Sequence, residues 1–347
     1  MSGSPAVEDA GEAVRVTAGA DGPRILIVRL LEACNAGCFM CDFAHSRDTY
    51  RFGVEDARAI AREVGPGTLR LVRFTGGEPL LHVWLPALLE AFAGAGLITS
   101  VITNGSRLAE RRHELVAAGL AQVVVSLDGG RAAAHDRFRQ TPGLFDAALA
   151  GLRALRAEAP DVRLRVNTVA GPHNIGELHE LFELLASLDV DDWSIIPLKA
   201  VDGPWRYPRP DRALEAYREF QARVAERPGP RLLGFSREWM GRDDAEVEQY
   251  LNGGKPMTPR TPCRVTDLVR YYVPRSGVVY PCNCVPHRRA GVDLAVPWEV
   301  DGQGRPAGGR PATWLRENGP RLCRGCEPVN AALGEGVADI DSDPFAF

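Results

Sequence analysis

Three cysteines, Cys34, Cys38 and Cys41, share one short stretch, Cys34-Asn-Ala-Gly-Cys38-Phe-Met-Cys41, directly after the apolar run Ile25 to Leu31. That spacing lets three thiolates converge from one compact loop at a strand end. Soft thiolates select iron–sulfur clusters, zinc or copper(I). A four-iron cluster held by three cysteines keeps one iron open to chelate a ligand, which separates a catalytic cluster from a structural one. A zinc knuckle, or a grouping of buried thiols, would use the same residues.

A second motif, Arg73-Phe-Thr-Gly76-Gly77-Glu78-Pro79, follows the apolar run Leu69 to Phe74. Two glycines allow close backbone approach, and a carboxylate can accept from an ammonium. Taken together and in this order, the two motifs resemble the radical S-adenosylmethionine (radical SAM) superfamily. The resemblance implies a [4Fe–4S] cluster on Cys34, Cys38 and Cys41 whose open iron binds the amino and carboxylate groups of SAM. It implies that Gly76, Gly77 and Glu78 contact the methionine amino group, and that Met40 lies among the SAM-binding residues. Three further segments extend the resemblance: Val101-Ile-Thr103-Asn104-Gly105, Val123-Val-Val-Ser126-Leu-Asp128-Gly129 and His135-Asp136-Arg137-Phe138-Arg139. Ser126 and Arg139 are implied to bind the ribose or carboxylate of SAM, with Thr103, Asn104, Arg165 and Asn167 nearby. By residue type alone, Ser126 and Asp128 are equally turn formers and Arg139 a solvated charge.

These residues need a scaffold. Strand-like apolar runs recur at Ile25–Leu31, Leu69–Phe74, Ile98–Thr103, Gln122–Leu127, Arg163–Val169 and Trp193–Pro197. Between them lie helix-like stretches Val54–Val64, Trp84–Ala93, Arg107–Ala118, Leu144–Glu158 and Ile175–Leu188. Repeated β–α units with continuous apolar strands predict an α/β fold, a parallel sheet covered by helices. Six units predict a partial (β/α)6 barrel of the TIM type, as the resemblance also implies. In such barrels chemistry gathers at the C-terminal strand ends, where every motif named so far falls.

With 347 residues, 45% of them hydrophobic, the chain can bury one large core and a small satellite. Residues 1–23 read as a tail, 24–230 as the barrel, 231–330 as a second, α+β domain, and 331–347 as an acidic tail. The Arg227-Pro-Gly-Pro230 segment marks the boundary. Pro344-Phe-Ala-Phe347 could dock on the body. A net charge of −4 without a basic, aromatic-laced stripe argues against nucleic acid as a partner. No apolar run reaches the ~20 residues that cross a bilayer. Without a signal-type N-terminus, a cytoplasmic location is expected, and eight cysteines there point to metal rather than disulfides.

The remaining cysteines, Cys263, Cys282, Cys284, Cys323 and Cys326, all lie in the second region. Their pattern resembles the opening of a SPASM domain cut short after Cys323-Arg-Gly-Cys326, the form called a twitch domain. That implies an auxiliary [4Fe–4S] cluster on Cys263, Cys282, Cys323 and Cys326. Leu268–Val273 and Gly277–Pro281 are expected to form a hairpin that brings Cys263 and Cys282 to its open end. Zinc in a tetrahedron of thiolates would use the same spacings. Cys284 is a surplus thiol, a substitute ligand or a small buried hydrophobe.

The resemblance implies SAM cleavage to a 5′-deoxyadenosyl radical that removes hydrogen from an unactivated carbon. An alcohol attacked there would become a ketone, with the auxiliary cluster taking the electron. The expected substrate is a sugar, aminocyclitol or nucleoside-sugar intermediate; dehydration, epimerisation, decarboxylation and peptide maturation are alternatives. A flavodoxin or ferredoxin would supply electrons. Lys199 and Arg206, in the loop after the sixth strand, are candidates to take the hydroxyl proton or bind substrate, with Trp239 and His287 as further candidates.

Overall fold

A computed structural model describes residues 24–41, 43–64, 69–198, 211–233, 243–253, 269–276, 278–280 and 345. Six strands follow the expected rhythm: β1 (Ile25–Arg29), β2 (Leu71–Thr75), β3 (Ile98–Thr103), β4 (Leu120–Ser126), β5 (Arg163–Ala170) and β6 (Asp192–Pro197). They alternate with α1 (Val54–Val64), α2 (Leu85–Ala93), α3 (Leu108–Ala117), α4 (Ala132–Arg139), α5 (Leu144–Glu158), α6 (Leu178–Ser187) and α7 (Ala213–Glu226). Later come β7 (Arg231–Leu232), α8 (Asp244–Gly253), β8 (Val269–Val273) and β9 (Val278–Tyr280). The strands form one sheet in the order β7-β6-β5-β4-β3-β2-β1-β8-β9. All pairs are parallel except β8 with β9. This is the expected α/β partial barrel.

Strand alternation explains how the sheet is held. Leu26, Val28, Val72, Phe74, Val101, Val123, Val125, Leu164, Val166, Trp193 and Ile195 join the core that the helices cover. On α1, Ala57, Ile60, Ala61 and Val64 recur at helical spacing and are buried together. Each fully buried Leu, Val or Phe contributes about 1.5–3 kcal/mol. Trp193, fully buried, meets the Phe220 ring edge-on at 5.5 Å and donates its indole N–H to Thr168 Oγ1 at 2.8 Å, fixing α7 on the sheet.

The intervening strand residues do not follow the apolar expectation. Arg29, Arg73, Ser100, Gln122, Arg165, Asp192 and Ser194 are all buried polar residues. The strands are apolar toward the helices and polar toward the interior, so the reading of continuous apolar strands was too simple.

The described parts of 231–330 attach to the barrel. β7 extends the sheet beside β6, and Val247 and Leu251 of α8 enter the same core. The expected hairpin forms, with β8 parallel to β1, so it prolongs the barrel sheet. Phe345 of the tail lies against Arg163, with the guanidinium 5.3 Å from its ring centre. Among the described residues no helix is long and apolar enough to cross a membrane.

Candidate active site

The cysteine loop leaves the C-terminal end of β1. Cys38 is buried, Cys34 partly so, and Cys41 exposed. The backbone N–H of Ala36 donates to Cys34 Sγ at 3.4 Å, and that of Cys41 to the Cys38 carbonyl at 3.1 Å. Met40 and Cys34 pack against Ala36, Cys38 and Leu144. Burial pushes the Cys34 thiol up to about 11, and it raises Cys38 as well, against the pull of Arg139. Such thiols keep their protons until a metal replaces them. Three thiols on one loop, two of them at least partly buried, are a soft donor set that fits a [4Fe–4S] group.

The glycines after β2 hold this loop in place. Gly77 N–H donates to the Leu31 carbonyl at 2.8 Å, and Glu78 N–H to Ala33 at 2.9 Å. Gly76 has φ +149°, and a Cβ there would stand 2.3 Å from Leu31 O; one on Gly77 would stand 2.1 Å from Ala33 O. The close approach that glycine permits is thus to the chain entering the cysteine loop. Glu78 is 1% exposed. Its carboxylate accepts from Leu80 N–H at 2.9 Å, Thr103 Oγ1 at 2.6 Å and Asn104 N–H at 2.7 Å. Burial raises its pKa even though these donors favour the ionised form. Asn104 in turn donates to Asn35 Oδ1 at 2.9 Å, inside the cysteine stretch. Gly76, Gly77, Glu78, Thr103 and Asn104 thus tie β2, β3 and the cysteine loop together.

On the opposite wall, Arg139 ends α4 and is 8% exposed. Its Nε donates to Asp128 Oδ2 at 2.6 Å, and its Nη1 to Cys38 Sγ at 3.7 Å. Burial works against the Arg139 charge, yet Asp128 and Cys38 outweigh it and leave its pKa raised. Asp128 also accepts from Val169 N–H at 2.7 Å, while its carbonyl accepts from Asn174 Nδ2 at 2.8 Å. Its own N–H donates to His135 Nδ1 at 3.0 Å. Sequence reasoning treated Asp128 as a turn former and passed over His135 and Asn174; the buried Asp–Arg pair is their signal. Ser126 and Asn167 face each other across β4 and β5, and Asn167 accepts from Arg165 Nε at 3.0 Å.

The hairpin braces the site from a third side. Arg29 Nε donates to Tyr271 OH at 3.1 Å, and its guanidinium lies 4.7 Å from the Phe43 ring centre. Arg275, at the hairpin turn, pairs with Glu32 at 3.5 Å and with Asp48. Lys199, Arg206, Trp239, His287, Cys263, Cys282, Cys284, Cys323 and Cys326 lie outside the described residues.

The barrel carries a three-thiol loop and a buried arginine at its mouth. The family described as "Radical SAM superfamily" matches residues 28–185 of this chain. Among curated proteins it is similar to an "AdoMet-dependent heme synthase" of Methanosarcina barkeri, 26% identical over 77% of this chain and 78% of that protein. It is also similar to a "Probable GTP 3′,8-cyclase" of Saccharolobus solfataricus, 29% identical over 51% of this chain and 57% of that protein. Apart from the first, the chain spans about half the length of these relatives. In fold it resembles Streptococcus suis SuiB bound to S-adenosylmethionine, with TM-score 0.59, 17% identity, 81% of this chain and 66% of that one.

Proposed function

We propose that this protein uses SAM to remove a hydrogen atom from an unactivated carbon of a small-molecule substrate held inside the barrel. The observation that carries the reading is Arg139, locked by Asp128 and reaching the sulfur of Cys38 at the barrel mouth. Cys34, Cys38 and Cys41 would hold the cluster. Arg139, Ser126, Asn167 and Met40 would bind SAM. The cluster and SAM, when bound, supply a primary carbon radical. Glu78, Thr103 and Asn104 contribute by fixing the loop, since their polar atoms are committed to one another. The barrel walls exclude water from the reacting carbon.

The finer reading is oxidation of an alcohol carbon in a sugar-, aminocyclitol- or nucleoside-like intermediate to a ketone. It needs a base and a one-electron acceptor, for which Lys199 or Arg206 and the four auxiliary cysteines are the candidates. Similarity to the heme synthase over most of both chains favours a second reading, with a tetrapyrrole as substrate.

Anaerobic reconstitution followed by iron counting and product analysis tests both. About eight irons per chain are expected if two clusters form, and about four would remove the auxiliary acceptor. 5′-Deoxyadenosine formation should accelerate with one substrate class. Its absence under reducing conditions with SAM would overturn the proposal.

A further inference from the structure

The barrel interior carries buried charge below the level of Asn167, and Arg165, expected near SAM, is part of it. Arg165, on β5, is 3% exposed. Its Nε is bonded to Asn167, but its Nη1 is buried and has no hydrogen-bond partner among the described residues. Gln122, on β4, is fully buried, and its Nε2 is a second donor in the same condition. Gln122 pairs with Arg163 in register and Val124 with Arg165, so Gln122 and Arg165 are diagonal neighbours on the interior face. Arg73, on β2, joins them by donating from Nη2 to Gln122 Oε1 at 3.0 Å and from Nε to Ser100 Oγ at 3.2 Å.

Among the described residues, Asp192 is the carboxylate that bears on both Arg73 and Arg165. Asp192 stands opposite Arg165 in register, and its oxygens accept from Arg163 at 2.5 and 2.9 Å and from Arg231 at 2.8 Å. Burial lowers the Arg165 pKa to about 10 despite Asp192. Burial lowers Arg73 too, and Arg165 adds to that by repulsion. Buried cations are ordinarily paired, and a buried donor without an acceptor is a standing cost.

We propose that Arg165 and Gln122, with Arg73 beside them, form an oxyanion-binding site in the barrel interior that anchors a carboxylate or phosphate of the substrate. A bidentate oxyanion matches the planar guanidinium fork and would accept from both orphan donors. The site lies two residues below Asn167 along β5, about 6.6 Å at 3.3 Å per residue. A substrate anchored there reaches up toward the SAM level. That the anion belongs to the substrate rests on the proposed function; the anion site itself does not.

The test is thermal unfolding of the anaerobically reconstituted full chain with sodium succinate or inorganic phosphate, against sodium chloride of equal ionic strength. A saturable rise in unfolding temperature above the chloride control is expected, and the more effective of the two anions identifies the oxyanion. Arg165→Met should abolish that rise while unfolding no lower than wild type without anion, because it removes a buried cation whose Nη1 has no acceptor. Should Arg165→Met fail to fold, Gln122→Glu serves: its built-in carboxylate should raise the unfolding temperature and likewise erase the anion effect. No anion effect in wild type, or an equal one in either variant, overturns the site. Anion binding in a protein that forms no 5′-deoxyadenosine would keep the site and overturn the radical reading instead.

Discussion

Asp128 carries more of the site than its place in a turn suggests. Two side-chain oxygens, one carbonyl and one N–H reach Arg139, Val169, Asn174 and His135. Asp128→Asn keeps the shape and removes the charge opposite buried Arg139. It should cost about 3–5 kcal/mol in urea unfolding, and weaken SAM binding in equilibrium titration as Arg139 loses its brace. His135 adds a pH dependence. Burial holds its pKa down at about 4, against an ordinary value of 6.5. Its Nδ1 must stay unprotonated to accept from Asp128 N–H. A depressed imidazole pKa means that the unfolded chain binds the proton first. This contribution is therefore complete above pH 6.5 and lost as pH falls toward 4, by up to about 3 kcal/mol. His135→Asn retains an acceptor without a titrating ring. The stability difference between wild type and His135→Asn should vary over that window and be flat above it.

At the scale of elements, the cysteine loop depends on β2 and β3. Gly77→Ala would force a Cβ into the Ala33 carbonyl and push the loop away from its seat. Its far-ultraviolet circular dichroism should stay native, while iron incorporated per chain falls at least about twofold. Much of this architecture was legible beforehand. The runs predicted for β1, β3, β5 and β6 and for α1, α5 and α6 hold to within a few residues, because period and length agreed there. The short helix α4 was not among the predicted helix-like stretches. It has eight residues and ends at Gln140 in a left-handed conformation, φ 50°, which spacing does not announce. The glycines of the Gly76-Gly77 motif were correctly read as sites of close approach. Their partner, the Leu31–Ala33 backbone, is a tertiary contact that no local pattern encodes.

Taken whole, the molecule is a sheet with two unlike faces, apolar under the helices and polar within. The sequence shows Arg73, Gln122, Arg165 and Asp192 plainly, but only the register of neighbouring strands gathers them into one interior. The hairpin over Leu268–Val273 and Gly277–Pro281 was predicted; its attachment to β1 was not, since pairing between distant strands depends on the whole fold. Replacing Arg275 with Ala would cut the hairpin turn from Glu32 and Asp48. Because both ion pairs are partly exposed, the cost should be no more than about 1 kcal/mol, read by denaturant titration.

The bond from Asn104 to Asn35 joins positions 69 residues apart. A ribosome adding about 5–20 residues per second leaves the nascent cysteines without their brace for on the order of ten seconds. Iron delivered during that interval would meet an unshaped peptide, so insertion into a braced loop has to await synthesis at least through Asn104, within the first third of the 347 residues.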